Sequence, residues 1–321
     1  MPRIAINKLV ENQSVDQSFQ AADKQLRLNR QGGKYLLLKL ADRSGTISAM
    51  VWNADEKQFD SFSRGDYVSC KGRTQVHNGN LQLIVTDIEP LDDSAVDIAD
   101  FDRFDPSEAD RWAEKLTQMI HSLRNVHLRN IASAFIDDPD FMSRFRVAAA
   151  AINNHHAYPG GLLRHTTELM ELASIVGPRY PQMDTELLIV GAFLHDIGKV
   201  EELSSGGDLS YTDRGQFVGH LVIGVQMLGD VIGKLQADGH DPIPKDLRLH
   251  LEHMIVSHHG HLEFGSPKVP LTLEALALHH LDNLDAKISA ATSIIQSDVS
   301  ADGNWTNYNP ALGRKLWKPS R

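Results

Sequence analysis

Hydrophobic and polar residues follow two different patterns along this chain of 321 residues. In the first 90 positions, short apolar runs rich in β-branched and aromatic residues alternate with turn residues. One pair of runs flanks Asp42-Arg43-Ser44-Gly45 in "YLLLKLADRSGTISAMVW", and another flanks Asn78-Gly79 in "YVSCKGRTQVHNGNLQLIV". Asn-Gly between two apolar runs is a strong hairpin signal. Several short strands in so short a stretch predict a small closed β-barrel.

From about residue 109 onward the apolar residues recur at helical spacing. The pattern is clear in "SEADRWAEKLTQMIHSLR", where Ser107 is a candidate N-cap, and in "DTELLIVGAFLHDIGKVEEL". Breaks at Gly177-Pro178 and Pro242-Ile243-Pro244 separate the helical segments. No strand signal of comparable strength occurs there, so we predict an all-α bundle over residues 109–300. The predicted fold class is multidomain α and β, with a β-barrel at 1–92 followed by this bundle.

An acidic segment separates the two patterns. Residues 91–110 carry eight Asp or Glu and one Lys or Arg, which accounts for most of the formal net charge of −10. Residues 1–90 carry 12 basic and 10 acidic residues, so the first part is slightly basic. A dense acidic run is typical of a solvated linker, and we place this linker at 93–108. The segment 301–321 is apolar and aromatic, and we expect it to pack on the helical domain.

The composition indicates a protein of a reducing compartment. No apolar run approaches the roughly 20 residues needed to span a bilayer, and "MPRIAINKLV" lacks a signal-peptide core. The lone cysteine, Cys70, excludes an internal disulfide and lies in an apparent strand, where we expect a small core residue. We therefore expect a cytoplasmic protein that does not bind a membrane. A homo-oligomer is left open.

Histidine is concentrated in the helical part, because 15 of the 16 histidines lie between positions 121 and 280. Helical bundles build metal sites from inward-facing side chains of several helices. Asp196 has two carboxylate oxygens and can bridge two cations. Imidazole and carboxylate together suit Mn, Fe, Co, Ni or Zn, and they exclude a thiolate-rich zinc site. The candidate ligands, each set on a different predicted helix or helix end, are His165, His195, Asp196, His220, His258, His259 and Asp282.

The order of His165, "HDIGK" at 195–199 and Asp282 resembles the HD superfamily of metal-dependent phosphohydrolases. His220 in "VGHLVIG" and the "SHHG" at 257–260 match the longer, two-metal version of the motif. The resemblance aligns Asp282 rather than Asp285 with the terminal ligand, which leaves Asp285 as a partner behind the ligands. It implies one metal on His165, His195, Asp196 and Asp282, and a second on Asp196, His220, His258 and His259.

The strand and turn order of the N-terminal part resembles the OB-fold of the tRNA-anticodon-binding type. The matching segments are "YLLLKLADRSGTISAMVW", "GDYVSCKG" and "LQLIVTDIEPL". Such a barrel holds single strands with cations along a groove and with rings on which bases stack. Tyr35 and Trp52 could equally be core residues, and the basic residues ordinary surface charges. The candidate nucleic-acid-binding residues are Lys34, Tyr35, Arg43, Trp52, Lys71, Arg73 and His77.

Longer segments narrow the resemblance to the YhaM-type 3′→5′ exoribonucleases. These segments are "HHAYPGGLLRHT", "SHHGHLEFGSPKVP", "EALALHHLDNLDAK" and "NWTNYNPALGRKLWKP". The resemblance implies a bacterial enzyme with two divalent ions, manganese being favoured and cobalt, iron, nickel or magnesium being alternatives. It also implies that water activated by two metals hydrolyses single-stranded RNA, and in some members single-stranded DNA, to nucleoside 5′-monophosphates.

The expected catalytic residues are His165, Asp196 and Lys199. Lys199 follows the ligand pair by one helical turn and could hold a phosphate oxygen or form a surface salt bridge with Glu202. The pair His155-His156 could line the cleft or order its own loop, and His261 with Glu263 could approach substrate. Surface or ordinary core positions are expected for His121, His127, His240, His250, His253, His279 and His280.

Three other functions could use the same residues. A nucleotide or cyclic-dinucleotide phosphodiesterase would share the metal site, although an OB barrel argues against a small substrate. A di-iron oxygenase is a second alternative, since some HD proteins with this many histidines use O₂. A non-catalytic single-strand-binding protein is disfavoured, because a buried cluster of His and Asp without a ligand would destabilise the fold.

Overall fold

The apolar runs of the first 91 residues form five strands that close into a barrel in the order β1-β2-β3-β5-β4. The computed structural model describes residues 3–29, 32–77, 79–97, 100–101, 106–151, 158–204, 210–297, 304–310 and 312–318. Strands β3 and β5 pair in parallel, and the other neighbours are antiparallel. A short helix, α1 (Glu56–Asp60), follows β3. The strands are β1 (Ser14–Leu28), β2 (Lys34–Asp42), β3 (Gly45–Trp52), β4 (Tyr67–His77) and β5 (Asn80–Leu91).

Alternate residues of each strand fill the barrel. In β2, Leu36, Leu38 and Leu40 are almost completely buried, as the period of two in a strand requires. Cys70 of β4 is buried as expected, and burial raises the pKa of its thiol to about 12. A bulge follows Lys71, and a Cβ at Gly72 would collide with the backbone of the facing strand. These features confirm the predicted barrel.

Two tight turns fix the register of the barrel. Asp42 ends β2, and its Oδ1 accepts hydrogen bonds from the backbone N–H groups of Ser44 (2.7 Å) and Gly45 (3.1 Å). Between β4 and β5, Gly79 has a φ of 78°, which a hairpin turn of this kind requires. The first turn places Tyr35 opposite Trp52 at the far ends of β2 and β3.

The second half of the chain is helical, and its helical segments pack around one large apolar core. In α6 every residue from Leu187 to Leu194 is buried, so the "LHD" sequence enters the interior directly from a buried helix. The helices are α2 (Pro106–His121), α3 (Val126–Ile136), α4 (Pro139–Phe145), α5 (Gly161–Val176), α6 (Thr185–Leu194), α7 (Lys199–Glu202), α8 (Asp213–Val218), α9 (His220–Ala237), α10 (Lys245–Ser257) and α11 (Leu273–Ser297). The predicted fold class is therefore confirmed in both halves.

The chain divides into two compact units, one formed by residues 104–290 and the other by residues 1–103 together with 291–321. The C-terminal tail thus groups with the barrel, which differs from the expectation that it packs on the helical domain. The side chain of Asn307 occupies the space beside Gly79, where any Cβ would collide with it. The apolar pattern of the tail predicted packing but held no information about the partner. None of the described helices is both long and apolar enough to cross a bilayer.

Candidate metal centre

The structure brings all seven predicted ligands together within the unit formed by residues 104–290. His165 lies in α5, His195 ends α6 with Asp196 next to it, and His220 begins α9. His258 and His259 follow α10, and Asp282 lies in α11. Nε2 of His165 is 3.3 Å from Nε2 of His195 and 3.3 Å from an oxygen of Asp282. The ligand atoms of His220, His258 and His259 form a second group, all within 4.8 Å of one another.

The carboxylate of Asp196 lies between the two groups. Its Oδ2 is 3.2 Å from Nε2 of His195 and 4.0 Å from Nε2 of His165. Its Oδ1 is 3.5 Å from Nε2 of His220 and 3.6 Å from Nε2 of His258. Each oxygen therefore faces a different set of imidazoles, which is the arrangement that a bridging carboxylate needs.

Backbone carbonyls hold three of the imidazoles from behind. Nδ1 of His195 lies 2.7 Å from the carbonyl oxygen of Ala192, and Nδ1 of His258 lies 2.8 Å from that of Ile255. Nδ1 of His259 lies 3.0 Å from the carbonyl oxygen of Phe264. A carbonyl can only accept, so Nδ1 carries the proton and Nε2 keeps its lone pair for a metal.

Carboxylates hold the other two imidazoles. Nδ1 of His165 donates to Asp285 at 3.1 Å, which is the role expected for a residue behind the ligands. Nδ1 of His220 donates to Oε1 of Glu202 at 2.9 Å, and the backbone N–H of His220 donates to the same oxygen at 3.0 Å. Glu202 is not among the residues predicted to hold a ligand, and is a finding of the structure. The only sequence signal is its spacing, seven residues after His195 along "HDIGKVEE".

The chemistry of these side chains fits divalent metal ions. Oδ1 of Asp196 and Nε2 of His220 are buried without a hydrogen-bond partner among the described residues. Buried polar atoms of this kind are uncommon in native proteins unless an ion or water satisfies them. The donors are nitrogen and oxygen, the combination that suits borderline transition metals.

Burial and neighbouring charged groups shift the pKa values of several side chains in the site. Burial opposes a charged imidazole at His165, but hydrogen bonds to Asp282 and Asp285 outweigh it and raise the pKa of His165 to about 9. Burial would raise the pKa of Asp282, but the hydrogen bond to His165 and the nearby imidazoles hold it well below its usual range. Burial and the neighbouring His195 lower the pKa of His258. Burial and His220 lower that of His259. A low pKa keeps the last two imidazoles neutral, which metal binding requires.

Two glycines allow the backbone segments of the site to approach. A Cβ at Gly198 would collide with the backbone of His220, so the "HDIGK" turn and the start of α9 meet only with glycine there. Gly260 has a φ of 82°, and a Cβ on it would collide with the ring of His279. Nδ1 of that buried histidine donates to the carbonyl oxygen of His258 at 2.9 Å. His279 is thus a core residue, as expected, but it also fixes the backbone of a candidate ligand.

Lys199 points at the site. Its Nζ is 2.6 Å from Oδ2 of Asp196, so its ion pair is with the bridging carboxylate rather than with Glu202. Burial disfavours the ammonium, but the Asp196 carboxylate outweighs burial and raises the pKa of Lys199. Lys199 also lines a cavity of about 150 Å³. The other lining residues are five of the seven candidate ligands (His165, Asp196, His258, His259 and Asp282) and the small side chains of Ala150, Ala151 and Ala286.

The remaining predicted residues of this half lie outside the ligand cluster or outside the described residues. His261 packs against Phe264 and His279 with ring centroids 5.2 and 5.6 Å apart, and it belongs to none of the close ligand groups. Glu263 is exposed. The His155-His156 pair lies outside the described residues.

The barrel candidates occupy several places on its surface. The rings of Tyr35 and Trp52 have centroids 5.4 Å apart, and Trp52 is 49% exposed, so this pair lies on the outside rather than in the core. Lys34 adjoins the pair and forms an ion pair with Glu56 at 2.7 Å. Arg43 lies at the opposite end of β2, in the turn after Asp42. Exposed positions along β4 are occupied by Lys71, Arg73 and His77.

One further basic residue on the outer surface was missed. Arg27 of β1 pairs directly with Tyr35 of β2, which itself pairs with Trp52 of β3. A cation and two rings thus form one row across three strands. No sequence signal pointed to Arg27, because the register between β1 and β2 was unknown.

Comparison with known proteins gives both halves a family. Residues 21–91 match the OB-fold nucleic acid binding domain of the tRNA anticodon type, and residues 162–287 match the HD domain. The chain is 32% identical over 310 residues to the 3′-5′ exoribonuclease YhaM of Bacillus subtilis (strain 168), and the match covers 96% of both chains. It is 34% identical, with the same coverage, to the protein of that name from Bacillus velezensis. A solved OB-fold domain of replication protein A from Methanococcus maripaludis is similar over 28% of this chain and 94% of its own, at 23% identity and a TM-score of 0.23.

Proposed function

The chain belongs to the YhaM family of 3′-5′ exoribonucleases, and from that premise we propose that it shortens single-stranded RNA from the 3′ end by metal-dependent hydrolysis. The observation that carries the proposal is the Asp196 carboxylate, whose two oxygens face two separate groups of inward-pointing imidazoles. This arrangement supports a two-metal phosphodiester hydrolase. The released products are nucleoside 5′-monophosphates.

Each of the two groups of side chains would hold one metal ion. Bound divalent ions would act as Lewis acids on the phosphodiester and lower the pKa of a water molecule. We propose manganese as the native ion, because nitrogen and oxygen donors suit it and the YhaM resemblance favours it. The first ion is assigned to His165, His195, Asp196 and Asp282, and the second to Asp196, His220, His258 and His259.

The protein's own groups orient the reaction. Hydrogen bonds at Nδ1 keep each candidate imidazole in one tautomer and one rotamer, so no reorganisation is needed when substrate arrives. Lys199 lies at the cavity as an ammonium. We assign it to a non-bridging oxygen of the scissile phosphate, for which it is a suitable point charge.

In this proposal the barrel binds the single-stranded RNA upstream of its 3′ end. The exposed Trp52 and the half-buried Tyr35 offer ring faces for bases, and Arg27 in the same row offers a cation for the backbone. Holding the upstream strand raises the local concentration of the 3′ end at the metal centre. Single-stranded RNA is therefore the proposed partner, and single-stranded DNA is tested beside it.

Incubation of metal-stripped protein with a 5′-labelled single-stranded RNA and each divalent cation tests the function. We expect a ladder that shortens by one nucleotide at a time, fastest with manganese, with release of nucleoside 5′-monophosphates. The same sequence as DNA measures the sugar preference, and a blunt duplex should stall the reaction. Internal fragments from a circular strand would contradict an exonuclease. Rapid turnover of a cyclic dinucleotide without RNA shortening would assign the site to a small-molecule phosphodiesterase.

A further inference from the structure

The C-terminal segments 304–310 and 312–318 fold back on each other as a small hairpin in the same compact unit as the barrel. β-bridges pair Trp305 with Trp317 and Asn309 with Arg314. Thr306 is buried, and its hydroxyl accepts the backbone N–H of Leu316 at 2.9 Å. The segment is thus an ordered element, which we call the tail hairpin.

The tail hairpin presents its large aromatic side chains to solvent. Trp305 and Trp317 are 53% and 51% exposed, and Tyr308 is 59% exposed. The two indoles meet edge to face with centroids 5.2 Å apart, so each ring restricts the motion of the other. Grouped exposed aromatic rings on an ordered element indicate a binding surface.

The charged side chains of the tail hairpin are all positive. Arg314, Lys315 and Lys318 lie between or beside the two tryptophans, and no Asp or Glu occurs from 304 to 318. This contrasts with the formal net charge of −10 for the whole chain. Exposed rings interleaved with cations are the combination that binds single-stranded nucleic acid, because rings stack on bases and cations contact phosphates.

The tail hairpin lies at the turn between β4 and β5. Asn307 lies against Gly79, and β4 leads into that turn with the exposed residues Arg73 and His77. The Tyr35–Trp52 pair lies toward the other end of the sheet. Val51, the neighbour of Trp52, pairs with Val85, six residues after Gly79. At about 3.3 Å per residue, the Tyr35–Trp52 pair is roughly 20 Å from the β4–β5 turn along the strands.

We propose that the tail hairpin is a second contact for single-stranded RNA, in which Trp305 and Trp317 stack on bases and the three cations face phosphates. It continues the binding surface of the barrel beyond the β4–β5 turn. The choice of RNA as ligand rests on the proposed function. A second copy of this chain would also cover exposed tryptophans, but the cations beside them favour a polyanion.

Equilibrium binding of a 5′-fluorescein single-stranded RNA of 20 nucleotides to the full chain in EDTA tests the proposal. The variant Trp305→Ala/Trp317→Ala should bind at least about 10- to 100-fold more weakly, since the loss of one base stack alone weakens binding by roughly this factor and two stacks are removed. The variant Trp305→Phe/Trp317→Phe should keep most of the affinity, because phenylalanine still stacks. Lys315→Gln should reduce the slope of log K against log salt by about 0.7, the value for one phosphate contact on a single strand.

Controls separate the outcomes. Both double variants should melt like the wild type. If the Ala pair does not fold, Lys315→Gln carries the test, and a wild-type salt slope in that variant would overturn the proposal. Wild-type RNA affinity in a folded Ala pair would overturn the proposal. A change from oligomer to monomer by light scattering, with unchanged RNA affinity, would also overturn it and assign the surface to a second copy. Hydrolysis of RNA by the wild type, measured in parallel, shows whether the proposed function itself stands.

Discussion

Oδ1 of Asp196 lies 3.5 Å from Nε2 of His220, and neither buried atom has a hydrogen-bond partner in the part of the chain that the structure describes. A buried polar atom without a partner destabilises a fold by roughly 1–3 kcal/mol. The other oxygen of Asp196, Oδ2, in contrast accepts a hydrogen bond from Nζ of Lys199 at 2.6 Å. The unpartnered pair therefore marks the space beside which the second ion is assigned.

Asp196→Asn should release both ions, because the variant lacks the anionic carboxylate that faces both groups of imidazoles. Elemental analysis should find less than half an ion per chain, and RNA hydrolysis should fall by at least about 10³-fold, or roughly 4 kcal/mol of transition-state stabilisation. The exposed Asp238→Asn, at the end of α9, is the matched control and should behave as the wild type. Wild-type metal content in Asp196→Asn would refute the bridging assignment.

Glu202→Gln should weaken the second ion selectively, since an uncharged amide orients the imidazole of His220 less strongly than a carboxylate does. Loss of such a partner typically reduces metal affinity by about 10- to 100-fold. The adjacent Glu201→Gln is a stringent control, because Glu201 pairs with Arg214 at 2.8 Å and not with a candidate ligand. Competition with a chromogenic chelator measures both ions. Equal losses in the two variants would show that Glu202 has no specific role.

The contrast between these neighbouring glutamates shows where sequence reasoning reaches its limit. The ligand set was predictable, because histidines concentrate in the helical half and the order of His165, "HDIGK" and Asp282 resembles the HD superfamily. The structure brings all seven residues together. "KVEE" reads as an ordinary helix end in which either glutamate could face solvent. In the structure Gly198 packs against the start of α9, Glu202 contacts His220 and Glu201 pairs with Arg214. The choice between the two glutamates depends on this packing, which the sequence of one helix end does not encode.

In the barrel and the tail, too, the sequence predicted the elements but not the residues that they contact. Alternation predicted the strands, but the row of Arg27, Tyr35 and Trp52 depends on a register between strands that alternation does not encode. Likewise, the aromatic pattern of residues 304–319 predicted an ordered segment. It placed that segment on the helical domain, whereas Asn307 packs against the barrel's Gly79. Which domain the C-terminal tail packs against depends on the shape of that domain's surface, which the sequence of the tail does not encode.

Gly260→Ala should disturb the metal centre through His279. Gly260 and Gly265 both have positive φ, at 82° and 84°, so alanine strains the backbone similarly at each, by roughly 1–3 kcal/mol. A Cβ at Gly260 would also collide with the His279 ring, whereas one at Gly265 would meet no atom within 4 Å. The difference between the two unfolding free energies therefore isolates the collision, which should add about 1–3 kcal/mol.

The metal affinities of Gly260→Ala and Gly265→Ala can also be compared. Because His279 donates to the carbonyl oxygen of His258, displacement of its ring should also weaken the second ion in Gly260→Ala but not in Gly265→Ala. Chelator competition measures this difference. Equal metal affinities in the two variants would show that His279 only fills space.

Metal-stripped protein should lose stability as the pH rises from 6 to 8. The folded-state pKa of His165 is about 9, above its ordinary value of 6.5, so its contribution is complete below pH 6.5 and disappears as the pH approaches 9. The expected fall between pH 6 and pH 8 is at most about 2 kcal/mol. His258 and His259 have lowered pKa values, so their contributions change only below pH 6.5. Urea unfolding in EDTA at a series of pH values measures the slope.

Two comparisons make the pH dependence specific to His165. Asp285→Asn removes one of the carboxylates that raise the pKa of His165, so the slope between pH 6 and 8 should be smaller in that variant. Protein with saturating manganese should show the opposite slope, because the metal binds only neutral imidazoles and binds more tightly as the pH rises. The measurement stops at pH 8, below the range in which the buried thiol of Cys70 would add its own loss of stability. An unchanged slope in Asp285→Asn would show that another group controls the stability in this range.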